Sequence, residues 1–238
     1  MLPAFGFEGQ ERLLASRVLL VGAGGLGSSA GLYLAAAGTG HLAIADHDQV
    51  DLSNLQRQIL HQHGDLGRRK VESARQSLRA LNPDVRVTPI DERLAGARLD
   101  EQVQLADAVV DASDNFETRF AINEACVRYR TPLISGAAIR MEAQVAVFLP
   151  DKVESPCYRC LYREGEETEQ TCAENGVLAP VVGIIGSLQA LEAIKVLLDL
   201  GEILCGRLLV FDGMTMQWRS IRLRRDTACP VCSDRARS

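Results

Sequence analysis

Residues 17–27 read RVLLVGAGGLG, a strand-length apolar run that ends directly in glycines at positions 22, 24 and 27. A helix-length stretch of small residues, LGSSAGLYLAAAG, follows at once. This junction restricts the chain more than any other feature, because Gly22-x-Gly24-x-x-Gly27 permits a tight strand-to-helix turn. It also lets backbone N–H groups, Gly25's among them, approach a phosphate at the positive end of the helix. The next apolar run, HLAIAD, ends at Asp46, where a carboxylate can accept hydrogen bonds from ribose hydroxyls. Loop and acid together point to an adenine nucleotide rather than to a glycine turn of purely structural use. They leave the nucleotide open, since an NAD-dependent oxidoreductase presents the same pair.

Strand-like runs then alternate with amphipathic helical patterns: VRVTPI after a helix over 68–83, AVVDAS after a helix near 97–105, and PLISGA after ETRFAINEACVRYR. That interval predicts βαβ units and a Rossmann-like, largely parallel α/β sheet flanked by helices. The near-continuous apolar strands fit burial on both faces. From about residue 137 the runs AQVAVFLP, RLLVFDG and QWRSIRLR have a looser character and predict antiparallel additions. No linker divides the chain, so residues 1–238 read as a single domain with a nucleotide-binding half (1–136) and an antiparallel, metal-tied half (137–238). The acidic run 163–171 reads as a mobile loop or crossover.

With 47% hydrophobic residues the chain can bury a substantial core, and a net charge of −5 with interspersed acids and bases argues against a nucleic-acid binder. The basic tail from Arg222 reads as a solvated end. The apolar stretch 177–200 is interrupted by Pro180, Gln189, Glu192 and Lys195 and suits a buried helix better than a membrane span. The N-terminus has no cationic region followed by an apolar core, so no secretory signal is expected and the cytoplasm is the expected compartment.

The loop after Asp46 bears on the choice of nucleotide. Asn54, Arg57 and Gln58, then Lys70 at the start of the next helix, supply donors and cations of the kind a triphosphate needs close to the glycine loop. Taken singly, Arg57 and Lys70 read as surface cations; clustered behind a nucleotide fingerprint, they favour a triphosphate over NAD. Asp111 and Asp114 both follow the strand AVVDAS, and either carboxylate can be capping the helix that begins near Phe116.

Seven cysteines in a reducing compartment do not suggest a disulfide framework. Cys157–Cys160 and Cys229–Cys232 form two CxxC pairs of the spacing that builds a closed, structural zinc site. A redox reading needs a pair beside the start of a βαβ unit, which neither has. Cys126 and Cys205 read as small core residues. The histidines at 41, 47, 61 and 63 show no ligand spacing, and His61 and His63 read as surface residues of their loop.

GAGGLG, DHDQVDLSNLQRQ (46–58), GRRKVESA, DASDN (111–115), the CYRC and CPVC pairs and TCAENGVLAP together resemble the bacterial relatives of ubiquitin-activating enzymes, the HesA/MoeB/ThiF family. The resemblance runs from about Phe5 to Cys232. SGAAIRME (135–142) is similar to the molybdopterin branch, the nearer of the two, and FDGMTMQWRS (211–220) to the thiamine branch. The resemblance implies a homodimeric enzyme that uses ATP and Mg2+ to adenylate the C-terminal Gly-Gly carboxylate of a small ubiquitin-fold sulfur carrier. By motif, Asp46 would hold the ribose, Asn54 and Arg57 the phosphates, Lys70 the triphosphate and Asp114 the magnesium ion. The cysteine that matches Cys172 bonds covalently to the carrier in the thiamine branch and is dispensable in the molybdopterin branch. The family's R-Y-x-R-Q segment has no counterpart here, and neither Arg12 nor Arg17 stands in its place. Catalysis is therefore expected to be weaker or differently organised, or the start site to be a shortened one.

Overall fold

A computed structural model of the chain describes residues 5–163 and 176–233. Cys172 and residues 164–171 of the acidic run lie outside them. Five strands, β1 (Arg17–Val21), β2 (His41–Ala45), β3 (Arg86–Ile90), β4 (Ala108–Asp111) and β5 (Leu133–Ile139), pair in parallel. Three more, β6 (Glu142–Phe148), β7 (Arg207–Asp212) and β8 (Gln217–Arg222), continue the same sheet antiparallel. The order is β3-β2-β1-β4-β5-β6-β7-β8, as the sequence pattern predicts in kind. The chain moves outward from β1 in one direction and then, from β4, in the other. A crevice therefore opens between the carboxyl ends of β1 and β4, the position at which doubly wound sheets bind ligands.

Helices α1 (Gly6–Ala15), α2 (Gly25–Ala37), α3 (Lys70–Leu81), α4 (Gly96–Gln104), α5 (Phe116–Tyr129), α6 (Tyr158–Leu161) and α7 (Ala179–Leu198) complete the described elements. Side chains alternate across β1 as the pleat requires. Val18 and Leu20 join a core with α2, α3 and α7, while Leu19 and Val21 join a second with α4 and α5. Helix α7 has the length and apolar character of a membrane span. In this fold it packs on α2 and on β4, β5 and β6. Its buried Gln189 donates from Nε2 to the Asp111 carbonyl at 2.7 Å, at the exit of β4.

Helix α1 is an element that the strand–helix alternation does not announce. Its Arg12 guanidinium donates to the Leu197 and Leu198 carbonyls at 2.9 and 3.0 Å, satisfying the C-terminal end of α7.

The junction of β1 and α2 is held by what its glycines lack. Gly22 adopts φ +99°, and a Cβ on Gly27 would lie 1.9 Å from the Gly22 carbonyl oxygen. A Cβ on Gly186 of α7 would lie 2.3 Å from the Leu26 carbonyl, so α7 also presses on the start of α2. Gly27→Ala is accordingly expected to lower the unfolding free energy by about 3 kcal/mol, the scale of severe overpacking. Chemical denaturation checks this, and an unchanged midpoint would contradict the close packing.

Candidate active site

The crevice holds a cleft of about 930 Å³, counting the space open to solvent, with the glycine loop as its floor. Helix α2 begins there with Gly24 as its N-cap and, among the described residues, no side chain capping it, which leaves first-turn N–H groups for a ligand. Gly24 faces open space, because a Cβ there would meet only Gln58 Nε2, at 3.8 Å. Asp46, half-buried at the end of β2, fixes the loop by accepting from the Ala23 N–H at 2.8 Å and from the Asp48 N–H at 2.9 Å. Lone pairs remain on both carboxylate oxygens for ribose hydroxyls.

The polar loop turns through a short 3-10 segment, Leu52–Asn54, capped by Asp51, whose carboxylate accepts from the Ser53 N–H. That turn delivers Arg57 and Gln58 to the cleft wall. One Arg57 guanidinium nitrogen donates to Asn54 Oδ1 at 2.8 Å, so Asn54 orients the arginine from outside the cleft lining. Gln58 is buried, and among the described residues its Oε1 has no hydrogen-bond partner. Lys70 opens α3 and is 4% exposed, its Nζ donating to Asp48 Oδ2 at 2.7 Å. Desolvation pushes the Asp48 carboxyl up, but the hydrogen bond and charge of Lys70 outweigh it and hold the group below its ordinary value. A cation this buried needs such a partner.

At the end of β4 the two aspartates part company. Asp111 is fully buried and accepts from the Ser113 N–H at 3.0 Å and the Ser113 hydroxyl at 2.6 Å. Burial pushes its carboxyl up, against the pull of the Arg119 guanidinium. Asp114 is exposed on the cleft wall, and among the described residues its hydrogen bond comes from Asn115 Nδ2 at 3.3 Å. Neither carboxylate caps α5, contrary to the sequence expectation. Asn115 does so, accepting from the Thr118 N–H at 2.9 Å, because it alone occupies the N-cap position. Asp114 is thereby left available to a cation carried into the cleft.

Two further groups belong to the site without a signal in the sequence. Arg119 lines the cleft, 9% exposed, and donates to the Ser113 carbonyl at 2.8 Å; as one arginine in an amphipathic helix it looked ordinary. Arg93, between β3 and α4, lines the same cleft and pairs with Glu117 at 2.5 Å. His61 corrects the sequence reading outright, since it is 5% exposed and hydrogen-bonded through both ring nitrogens.

On the α5 side of the sheet the two CxxC pairs converge. Sγ–Sγ separations are 3.9 Å for Cys157–Cys160, 3.7 Å for Cys157–Cys229 and 3.5 Å for Cys160–Cys232, and all four sulfurs lie within 4.8 Å of one another. A tetrahedron of metal–thiolate bonds about 2.3 Å long has edges of about 3.8 Å, so the set fits one ion and no disulfide. Contacts with Cys160 and Cys232, together with burial, raise the Cys157 thiol above its ordinary value, and a metal ion held there would take the place of protons. Asn123 of α5 donates to Cys157 Sγ at 3.7 Å and accepts from the Tyr158 N–H at 2.8 Å, holding the first knuckle. Cys126 is buried in α5 and Cys205 half-buried, both away from this cluster. Cys172 lies outside the described residues.

Similarity to known proteins agrees with this geometry. The ThiF family model matches residues 1–231. The molybdopterin-synthase adenylyltransferase of Escherichia coli K12 is 49% identical over 232 residues, covering 98% of this chain and 93% of that one. The sulfur carrier protein ThiS adenylyltransferase of the same strain is also 49% identical, over 98% and 92%. The SAMP-activating enzyme E1 of Haloferax volcanii is 48% identical, over 96% and 84%. Among solved structures, E. coli MccB with ATP superimposes with a TM-score of 0.83 at 26% identity, covering 94% of this chain and 69% of that chain.

Two outcomes follow from the geometry. Gly24→Ala should leave Tm nearly unchanged yet weaken nucleotide binding about tenfold, the cost of one methyl group pushed into a close contact; isothermal titration and a melting curve read both. If the four thiolates hold a metal ion, Cys160→Ser should lower the metal content and lower Tm by about 6 °C, equivalent to about 2 kcal/mol at this size, as measured by elemental analysis and calorimetry.

Proposed function

The chain belongs to the ThiF family, and on that footing we propose that it adenylates the C-terminal Gly-Gly carboxylate of a ubiquitin-fold sulfur carrier with Mg-ATP, releasing pyrophosphate. The carrier we propose is the small subunit of molybdopterin synthase, on the strength of SGAAIRME in β5 and the turn after it; the thiamine-pathway carrier is the alternative. The observation that carries the reading is the arrangement of bare helix N-terminus, Arg57 and Lys70 around one cleft, in a chain nearly half identical to three proteins named as adenylyltransferases or activating enzymes. A dinucleotide reading of the same loop has no such support.

In this reading Asp46 holds the ribose, the amides of Gly24 and Gly25 at the start of α2 face the phosphates across the turn that Gly22 and Gly27 make possible, and Asn54, Arg57, Gln58 and Lys70 take up the triphosphate. Asp114 holds the magnesium ion that arrives with ATP. The reaction joins two anions: a carboxylate oxygen attacks the α-phosphorus and the bond to pyrophosphate breaks. The chain's task is therefore to neutralise charge and hold attacker and leaving group in line. No side chain need move a proton. Lys70 and Arg57 are already held by Asp48 and Asn54, so binding exchanges one partner for another rather than ordering a free chain.

The carrier's route is supported by the antiparallel half of the sheet. Edge strand β8 and its turn expose Met214, Met216 and Trp218. That turn is bonded to the next, Gly213 N–H to the Met141 carbonyl at 2.8 Å, and Arg140 pairs with Val177, which lines the cleft. A protein seated on the edge can thus send a flexible tail to the nucleotide. We further read the tetrathiolate site as structural zinc, the whole chain as one adenylation domain of a cytoplasmic homodimer, and the exposed Phe7, Leu14 and Tyr33 of α1 and α2 as support for the dimer.

Pyrophosphate exchange into ATP tests the reading. Exchange should depend on a carrier ending in Gly-Gly and be reduced about a hundredfold by Arg57→Ala, the weight of a charge-stabilising contact to the reacting phosphates, with the melting curve unchanged. No exchange with either carrier would overturn it, and exchange with the thiamine carrier alone would assign the chain to that branch.

A further inference from the structure

His61 has no part in the chemistry above, yet three elements of the cleft meet at it. Its Nε2 lies 2.9 Å from the carbonyl oxygen of Ala23, between the first two glycines of the loop. Its Nδ1 lies 2.8 Å from Ser73 Oγ on α3, one turn beyond Lys70. Ser73 in turn donates to Asp65 Oδ2 at 2.9 Å, an oxygen that also accepts from the Gln62 N–H at 2.9 Å, and Arg68 pairs with the same carboxylate. Immediately before His61, the Leu60 carbonyl accepts from Ser77 Oγ of α3 at 2.7 Å. The segment that leads from Arg57 and Gln58 is therefore anchored to α3 at two consecutive residues.

The direction of these bonds is set by chemistry. A carbonyl only accepts, so Nε2 carries a proton and donates to Ala23. Burial, foremost, and then the nearby Lys70 charge hold the ring below its ordinary value, against the Ala23 bond and the carboxylates of Asp46 and Asp65. In the neutral ring Nδ1 is an acceptor facing Ser73 Oγ, whose single hydroxyl proton is shared between Nδ1 and Asp65 Oδ2. The imidazole is thus a rigid two-ended spacer between a main-chain atom of the glycine loop and the helix that bears Lys70.

We propose that His61 is a positioning residue for the triphosphate, cross-bracing the glycine loop, the Arg57 loop and the N-terminus of α3 so that loop amides, guanidinium and ammonium keep a fixed spacing. The inference rests on the adenylation reading and deepens it, because only a ligand that spans several of these elements senses their spacing. ATP does so; AMP, lacking the two outer phosphates, is held by Asp46 and the loop alone.

Calorimetric titration of His61→Phe, which keeps the ring volume and removes both bonds, with Mg-ATP and with AMP reads the difference. The brace predicts that Mg-ATP affinity falls about tenfold, the loss of roughly one hydrogen bond to a charged group, while AMP affinity falls less than about threefold. Ser73→Ala, a smaller change that cuts the link of His61 to α3 together with the Ser73–Asp65 bond and leaves the Ala23 bond in place, should show the same selectivity and serves if His61→Phe does not fold. His61→Gln, with one donor and one acceptor, should recover part of the loss. Equal losses for both nucleotides, or none for either, would overturn the brace. Wild-type protein that binds no Mg-ATP would overturn the adenylation reading and this inference with it.

Discussion

The close approach of Gly27 to the Gly22 carbonyl is the contact on which the rest of the molecule depends. It allows α2 to start directly at the end of β1, so that the helix points its unsatisfied N–H groups at the crevice where the strand order reverses. Two other elements hold that placement from outside the turn. Asp46 ties the loop to the end of β2 through the Ala23 N–H, and Gly186 brings α7 against the Leu26 carbonyl. Rigidity here has an electrostatic purpose. Donors that need not reorganise when an anion arrives are worth more than donors that must first be ordered.

The same economy governs the cations. Burying the Lys70 ammonium would be costly without a counter-charge, and Asp48 provides one from a half-exposed position. The pair is therefore a loaded arrangement, with a desolvated lysine lining the cleft and a carboxylate able to turn toward water if, as proposed, a phosphate replaces it. Arg57 is held more lightly, by a neutral amide, which suits a guanidinium whose fork must re-aim. The tetrathiolate site supports this end of the molecule from a distance. Helix α5 carries the Asn115 cap and Arg119 at the cleft, and one turn after Arg119 its Asn123 binds Cys157 and the start of α6. A metal ion there would draw the strand-poor tail around Cys229 and Cys232 onto α5, supplying cohesion that the small cysteine cluster lacks.

How much of this was legible beforehand depended on whether a feature is local. Strands bounded by glycine and acid, helices with a clear apolar stripe, and the junction of β1 and α2 all announce themselves within a dozen residues, and α3 and α4 fall within two residues of their expected bounds. The loop cations were legible because they cluster behind a nucleotide fingerprint. Asn115 was missed because three polar residues, Asp111, Asp114 and Asn115, compete for one cap, and only backbone geometry selects among them. His61 was misread for another reason. Its partners come from positions 23 and 73, and nothing local distinguishes a histidine about to be buried by them from one left in solvent. Arg119 was overlooked in a related way: the Ser113 carbonyl and the Phe116 ring one turn back along α5 take part in its burial, but Tyr158, far along the chain, completes it.

The change from parallel to antiparallel pairing after β5 then acquires a functional sense. A purely parallel doubly wound sheet covers its strands with crossover helices and is built to enclose a small ligand. An attacking group at the end of a protein chain asks for something else, an open approach along which a tail can lie while its folded body stays outside. Successive hairpins β5–β6 and β7–β8 provide it by extending the sheet beyond the last crossover, and among the described residues β8 is left as an edge strand exposed along its whole length. The sequence of turns from Met216 through Gly213 and Met141 to Val177 connects that edge to the cleft without crossing the core. The parallel half thus meets the needs of the nucleotide and the antiparallel half those of the proposed protein substrate, and β5, which belongs to both, carries Ala138 at the point where they meet.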